Sequence, residues 1–216
     1  MNFDFITFIL NKLFSKQSTS KQLYKTPEPI SKPLDEPELS NELSSGPIYI
    51  LPNIENIIDK LPKHPTRKWN QRKLTDIKKI IVHHSDTTAT DDGLKNIKQI
   101  AQYHISPNHI SPQGCPAICY SLIIDKAGNI YQTNNFEDVT WHCKGQNANA
   151  LGVCLLEGGN GQVVNEKQLV ALENLLNYLM NILKLIRQYC YGHWDFSSTE
   201  CPGNDIYSWL QEWKKK

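Results

Sequence analysis

The sequence predicts an α/β fold: a single domain with a central mixed β-sheet flanked by helices, preceded by a flexible N-terminal segment. Two observations lead to this prediction. Short apolar runs end in polar residues at 77–85 (IKKIIVHHS) and 151–158 (LGVCLLEG), a pattern typical of buried strands. Apolar residues at helical spacing follow each run, at 91–105 and 166–187. Strands that alternate with helices in this way indicate a sheet covered by helices.

Local patterns support the remaining elements in chain order. The segment 118–132 (ICYSLIIDKAGNIYQ) predicts two strands joined by a turn at KAGN. Asn165 is the expected N-cap of the helix at 166–187, with Gln168 three residues later, and 204–215 (NDIYSWLQEWKK) predicts a short closing helix. The apolar faces of the two longer helices are formed by Leu94, Ile97, Ala101 and His104, and by Leu169, Leu172, Leu176, Leu179, Leu183 and Ile186.

The N-terminal part of the chain is expected to lie outside this domain. We assign residues 1–47 to an apolar N-terminal segment and a proline-rich linker, both poorly ordered, and residues 48–216 to the folded domain. The linker stretch TPEPISKPLDEPELSNELSSGP contains five prolines among acids and serines. Prolines withhold backbone donors and little apolar surface is available there, so this part is not expected to fold by itself.

The first 16 residues (MNFDFITFILNKLFSK) place apolar side chains at helical spacing. This segment could lie on a membrane surface as an amphipathic helix. The alternatives are a helix that docks on the domain or on a partner, and a poorly ordered terminus. The segment has no early positive charge and no small-residue cleavage site, so no signal peptide is recognised. Its apolar run is also too short to span a bilayer.

Charge and cysteine content limit the possible partners. The chain has 23 Lys and Arg against 22 Asp and Glu, a net charge of +1. Domains that bind nucleic acid usually have a clear basic excess, so nucleic acid is not the expected partner. The six cysteines are expected to be reduced thiols, of which at least one is available as a metal ligand. We expect a monomer.

The segment 192–203 (GHWDFSSTECPG) suggests a metal site. It places His193 and Cys201 eight residues apart among turn-forming residues, and imidazole and thiolate are both good ligands for zinc. A catalytic zinc site needs a third protein ligand, which His83 or His84 can provide at the end of the first apolar strand. Successive side chains of a strand point to opposite faces, so only one of these two histidines can face the site.

Four segments in the same order resemble the zinc-dependent N-acetylmuramoyl-L-alanine amidases, a family that includes amidase-type phage lysozymes and the peptidoglycan recognition proteins. The resemblance spans residues 76–210 and rests on IIVHHSDT, GCPAICYSLIIDKAGNIYQ, TWHCKGQNANALGVCLLEG and GHWDFSSTECPG. The last of these matches the family pattern G-H-x-D-x-S-x-T-x-C-P-G. One such match would be weak evidence, whereas four in order are specific.

The resemblance implies a zinc ion bound by His83, His193 and Cys201, with His84 on the opposite face. Tyr120 matches the family's active-site tyrosine, which can orient the attacking water or stabilise the developing oxyanion.

Further roles around the implied zinc site follow from the same resemblance. Thr199 stands where family members have lysine or threonine; its hydroxyl could donate to the tetrahedral intermediate or serve as a turn residue. The threonine resembles the recognition-protein branch and departs from the phage lysozymes, which have lysine. His142, Trp141 and Asn147 are expected to line the substrate groove. Glu157 ends a strand and could act as a general base, although its register is one residue away from that of the related glutamate in some family members.

The implied reaction is zinc-dependent hydrolysis of the amide between N-acetylmuramic acid and L-alanine in peptidoglycan, without an organic cofactor. Two alternatives stay open: a peptidoglycan-binding module without catalysis, and an interaction protein with structural zinc whose fourth ligand is His84 or His142. A phage or prophage endolysin, made in the cytoplasm and acting on the cell wall by an unknown export route, would fit the missing signal peptide.

Overall fold

The computed structural model describes residues 51–157 and 163–216. Its strands are β1 (Ile54–Asn56), β2 (Lys79–His84), β3 (Leu122–Ile124), β4 (Ile130–Gln132), β5 (Ala150–Leu155) and β6 (Cys190–Gly192). They form one sheet in the order β1–β4–β3–β5–β2–β6. Among these six described strands the β3–β4 pair is antiparallel and the other pairs are parallel, so the sheet is mixed, as predicted. The N-terminal segment and linker predicted for residues 1–47 lie outside the described residues.

The hairpin predicted between β3 and β4 is confirmed. Its turn is held by the Asp125 carboxylate, which accepts hydrogen bonds from the backbone N–H groups of Ala127 (2.9 Å) and Asn129 (2.8 Å). Gly128 adopts φ +84° in this turn, a backbone conformation that a residue with a Cβ rarely adopts. The KAGN signal in the sequence therefore has a direct structural cause.

In the described part of the chain, three α-helices cover the sheet: α1 (Gly93–Ile105), α2 (Glu166–Leu183) and α3 (Asn204–Lys215). The predicted cap of α2 is confirmed. The Asn165 side chain accepts from the Gln168 N–H at 3.1 Å, and the Gln168 side chain accepts from the Asn165 N–H at 3.4 Å. This reciprocal pair satisfies two backbone donors that the first helical turn leaves without an intrahelical partner.

The predicted end of α2 at residue 187 is wrong. The helix ends at Leu183 because Lys184 adopts a left-handed conformation with φ 56°. The Leu185 N–H then turns back to the Met180 carbonyl at 2.9 Å, a common way to satisfy the last carbonyls of a helix. Ile186, which was expected on the apolar face, is 58% exposed.

The sheet separates two apolar layers. One lies under α2 and α3, and the other under α1. The first includes Ile80, Val82, Val153, Leu172, Leu176 and Leu210; the second includes Ile97, Ala101, Ile123, Cys154 and Leu156. Since Ile80 and Val82 face α2 and α3, strand alternation turns Ile81 and His83 to the other face.

The three parallel strands β5, β2 and β6 end at the same edge of the sheet. Polar residues stand at each of these ends: His83 and His84 at the end of β2, Glu157 just beyond β5, and His193 just after β6. In sheets of this kind, ligands commonly bind beyond the carboxyl ends of parallel strands. Within the described part of the chain, no helix combines the length and the apolar character that crossing a membrane requires.

Candidate metal centre and active site

Three side chains that can bind a metal converge at this edge of the sheet. His83, His193 and Cys201 each offer one ligand atom, and these atoms all lie within 4.8 Å of one another. Cys201 Sγ is 3.6 Å from His83 Nδ1, and the rings of His83 and His193 are 4.5 Å apart. His83 is 1% exposed and Cys201 is 9% exposed. Among residues 51–157 and 163–216, no other group of three or more His, Cys, Asp or Glu meets the same criterion.

The geometry of this cluster fits zinc. A tetrahedral ion with a Zn–S distance of about 2.3 Å and a Zn–N distance of about 2.05 Å would hold the sulfur and the nitrogen about 3.6 Å apart. Cys201 Sγ and His83 Nδ1 are separated by 3.6 Å. Three protein donors leave one tetrahedral position open, which distinguishes catalytic zinc sites from structural ones.

Local hydrogen bonds bring the two ligands of the 192–203 segment together. The Trp194 N–H donates to the Cys201 carbonyl at 2.9 Å, which closes the loop and places His193 beside Cys201. The Thr199 hydroxyl accepts from the Cys201 N–H at 3.2 Å. Thr199 therefore shapes the turn that presents the thiol, and its own hydroxyl hydrogen stays available for donation.

The glycine that opens this segment has a steric reason. A Cβ at Gly192 would lie 2.8 Å from Cδ2 of Tyr207 and 3.0 Å from Cδ of Pro202. The Asp195 carboxylate holds the same corner, accepting from the Gly192 N–H at 2.9 Å and from the Tyr207 hydroxyl at 2.8 Å. The loop motif therefore depends on α3, which supplies the tyrosine.

Burial sets the protonation of the three ligands. It lowers the pKa of His83 well below its usual value and also lowers the pKa of His193. Both imidazoles are therefore neutral at neutral pH, which is the form that binds a metal. Burial raises the pKa of the Cys201 thiol to about 12. The thiol thus keeps its proton until a cation displaces it, while the His84 N–H, 3.4 Å from Sγ, favours the thiolate.

His142 contacts one of these ligands directly. Its Nδ1 lies 3.0 Å from Nε2 of His83, and its Nε2 lies 3.3 Å from the Ala150 carbonyl. Burial lowers the pKa of His142 to about 3. The side chain was expected to line the substrate groove, but the ring is only 6% exposed and packs against His83.

Tyr120 lies on the same side of the sheet as the metal cluster. Its ring is 5.3 Å from that of His83 and packs against the layer under α1. Burial, followed by the neighbouring thiols of Cys154 and Cys201, raises the pKa of Tyr120 well above its usual value. The phenol is therefore protonated at neutral pH and can donate a hydrogen bond.

Trp141 packs with Trp69 and Arg67 into a small aromatic surface. Of these three residues, the sequence predicted only Trp141. Its ring meets Trp69 edge-on at 5.5 Å, and the guanidinium of Arg67 lies 5.1 Å above it. Trp69 is anchored by its indole N–H, which donates to Asn134 Oδ1 at 2.8 Å. Arg67 and Trp69 precede the first ligand strand, where the sequence has no periodicity to mark them.

Asn147 stabilises the loop that contains His142. Its side-chain oxygen accepts from the Cys143 N–H at 2.7 Å, and its carbonyl accepts from Nη1 of Arg72 at 2.6 Å. The same nitrogen of Arg72 donates to the Ala150 carbonyl at 2.6 Å. Arg72 was not predicted as important, and a lone arginine before a strand gives no sequence signal. The contacts of Asn147 are structural, and none of them is with the metal cluster.

The side chains of Glu157 and His84 do not belong to the metal cluster. Alternation along β5 and the residue after it turns Glu157 to the face of α2 and α3, where its carboxylate lies 3.6 Å from Nζ of Lys126. His84, as the resemblance implied, occupies the face opposite His83. Together with Glu157 it lines a cavity of about 540 Å³ whose wall also includes Val164 and Ile206.

Comparison with known proteins agrees with this geometry. A family model described as N-acetylmuramoyl-L-alanine amidase matches residues 73–204. The endolysin of Klebsiella phage KP32 is 30% identical over 148 residues, which cover 66% of this chain and 89% of the endolysin. Peptidoglycan-recognition protein SC2 of Drosophila melanogaster is 25% identical over 134 residues, covering 62% of this chain and 72% of that protein.

Solved structures share the fold. The N-acetylmuramoyl-L-alanine amidase LysC from Clostridium intestinale URNW superimposes with a TM-score of 0.59 at 25% identity, over 76% of this chain and 97% of LysC. Drosophila peptidoglycan recognition protein SD gives a TM-score of 0.64 at 18% identity, over 75% and 95% of the two chains. Since the family match spans more than half of the sequence and includes both His83 and Cys201, the chain belongs to the N-acetylmuramoyl-L-alanine amidase family.

Proposed function

We propose that this protein is a zinc-dependent amidase that hydrolyses the bond between N-acetylmuramic acid and L-alanine in peptidoglycan. The observation that supports this most directly is the convergence of His83, His193 and Cys201, whose ligand atoms all lie within 4.8 Å of one another. The relatives named as an endolysin and as amidases support the same reaction.

A zinc ion bound by these three residues would supply a Lewis acid that polarises the amide carbonyl and activates water at neutral pH. The chain's own residues position the reactants around it. Tyr120, protonated because burial raises its pKa, can donate a hydrogen bond to the oxygen on which negative charge develops. We propose that Thr199 donates a second one, since its hydroxyl accepts from the Cys201 N–H and still has a hydrogen of its own to donate.

Glu157 is left out of this mechanism. Its carboxylate faces Lys126 at 3.6 Å on the α2 and α3 side of the sheet, whereas His83 and Tyr120 face the other side. A general base must reach the proton that it removes, directly or through one water.

The substrate itself is proposed to lie along the aromatic surface formed by Trp141. The Trp141 ring lies under the guanidinium of Arg67, so this surface offers both stacking and positive charge.

The alternative is a recognition module that binds peptidoglycan without cleaving it, as the names of several relatives suggest. Retention of all three metal donors and of Tyr120 favours hydrolysis. An interaction protein with structural zinc is disfavoured, because neither His84 nor His142 belongs to the metal-binding cluster and His142 Nδ1 is occupied by His83 Nε2.

The setting is also part of the proposal. We propose that the domain spans residues 48–216, works as a monomer, and is tethered near a membrane surface by residues 1–47. An endolysin made in the cytoplasm that reaches the wall after membrane permeabilisation would have these properties.

Digestion of purified peptidoglycan, with zinc and with a chelator, tests the proposal. Mass analysis should find stem peptides with new L-alanine N-termini only in the zinc digest, and Cys201→Ser should abolish their release. Cys190→Ser is the matched control, because Cys190 is buried in the layer under α2 and α3 and is not one of the metal donors. An intact wall with the protein still bound to it would support the recognition module. The absence of both cleavage and binding would refute both functions.

A further inference from the structure

We propose that His142 is a positioning residue that holds His83 in the tautomer whose Nδ1 is free to bind the metal. This inference rests on the proposed zinc site and adds to it a residue outside the three ligands. It is based on a chain of hydrogen bonds that runs from the Ala150 carbonyl through the His142 ring to the His83 ring.

The hydrogens in this series of hydrogen bonds can be assigned by starting from the Ala150 carbonyl. A carbonyl oxygen only accepts, so Nε2 of His142, 3.3 Å from the Ala150 oxygen, must bear a hydrogen. In a neutral imidazole the other nitrogen is then an acceptor. His142 Nδ1 therefore accepts from His83 Nε2 across 3.0 Å. His83 is left with its lone pair on Nδ1, the nitrogen that lies 3.6 Å from Cys201 Sγ.

The Ala150 carbonyl is itself held in place by a second donor. Arg72 Nη1 donates to the same Ala150 carbonyl at 2.6 Å, so both lone pairs of that oxygen are engaged. Arg72 and Ala150 together keep His142 in the orientation that accepts from His83.

The space around the His142 ring is equally restricted. A Cβ at Gly152 would lie 2.7 Å from Cγ of His142 and 3.0 Å from its Nδ1. The strand register places Gly152 opposite Ile81, two residues before His83. The planes of the His83 and His142 rings are nearly perpendicular, at 87°, with centroids 5.1 Å apart. The His142 ring therefore packs directly against the backbone of β5.

Partners of this kind orient metal-binding histidines and raise their basicity, and their loss typically lowers metal affinity by about 10- to 100-fold. His142→Phe keeps a ring of similar size but cannot accept a hydrogen bond. His142→Asn keeps an acceptor at the position of Nδ1. We therefore expect zinc affinity, measured by competition with a chromogenic chelator, to fall by about 10- to 100-fold in His142→Phe and to be largely retained in His142→Asn.

The matched control is His104→Phe. His104 is also a buried histidine, 6% exposed, that accepts from a backbone N–H through Nδ1, in this case that of Cys119. It is not one of the metal donors, so its replacement should leave zinc affinity unchanged. Equal zinc affinity in wild type and in folded His142→Phe would overturn the inference and leave the proposed function intact. Failure of the wild type to bind zinc would remove the proposed function, and the inference with it.

A second readout needs no variant and no activity. Nitrogen-15 correlation spectra of the imidazole rings, recorded on the wild-type protein after removal of metal with a chelator, distinguish the two tautomers of His83. We expect the hydrogen on Nε2. A hydrogen on Nδ1 would overturn the inference even if zinc binds tightly, because His142 would then not select the metal-binding tautomer.

Discussion

Gly152 provides a sharp test of how the His142 ring is confined, because a single added methyl group would collide with it. The residue lies in the extended backbone of β5, a conformation that alanine adopts without strain. The conflict is steric: the new Cβ would stand 2.7 Å from Cγ of His142 and 3.0 Å from Cδ2. Non-bonded carbons prefer about 3.5–4.0 Å, so the ring must retreat by about 1 Å.

The magnitude follows from two contributions. Overpacking a buried site typically costs about 1–3 kcal/mol. Displacing the ring also weakens the 3.0 Å hydrogen bond between His142 and His83, which contributes about 1 kcal/mol. Gly152→Ala should therefore lower the free energy of unfolding by about 2–4 kcal/mol, and each kcal/mol corresponds to a fall in Tm of about 2–4 °C for a domain of this size. Zinc affinity should fall by about tenfold or more, since the ligand loses its partner.

Urea unfolding of the metal-free protein and zinc competition measure the two effects separately. Gly145→Ala is the control. Gly145 adopts φ +84° with nothing within 4 Å of an added Cβ, so alanine there should cost about 1–2 kcal/mol of backbone strain without changing zinc affinity. A double-mutant cycle isolates the contact: in a His142→Ala background, where the ring is gone, Gly152→Ala should cost little. A cost that is equally large in that background would refute the reasoning.

Three further predictions concern other parts of the molecule. Tyr120→Phe should retain zinc but hydrolyse peptidoglycan about 10²- to 10³-fold more slowly, the typical effect of losing one oxyanion donor; an unchanged rate would remove Tyr120 from the mechanism. Burial lowers the pKa of His104 from 6.5 to about 4, so the unfolded chain binds this proton first, and stability present above pH 6.5 is lost as the pH falls toward 4, by about 3 kcal/mol in total. His104→Asn, which keeps an acceptor for the Cys119 N–H, should reduce this loss in urea unfolding at pH 7 and pH 4.5, and an identical loss in both proteins would contradict the assignment. Asn165→Ala should destabilise the protein by about 1 kcal/mol through loss of the α2 cap, seen as a lower Tm, and an unchanged Tm would show that the cap contributes nothing.

The sequence by itself determined the features that depend on near neighbours in the chain. The Asn165 cap and the β3–β4 hairpin are confirmed, because caps and tight turns are made by residues within a few positions of one another. The pairing of His193 with Cys201 is of the same kind, since the Trp194 N–H closes the loop onto the Cys201 carbonyl within that short segment.

Tertiary structure decided the features that depend on distant residues. From the strand pattern, His83 and His84 were equivalent candidates, and the family resemblance chose between them; in the structure, the layers on the two sides of the sheet make that choice physically. Packing also turned Glu157 toward Lys126.

The partner of His142 could not be predicted for a related reason. The bond to His83 joins residues 59 positions apart, and Cys201 lies 118 positions from His83. Such contacts form only when β2, β5 and β6 pair in register, which brings together chain segments that have no local relation. Local spacing identified residues able to bind zinc, whereas strand order and register determined which of them meet, and which neighbour sets the proton on the ligand.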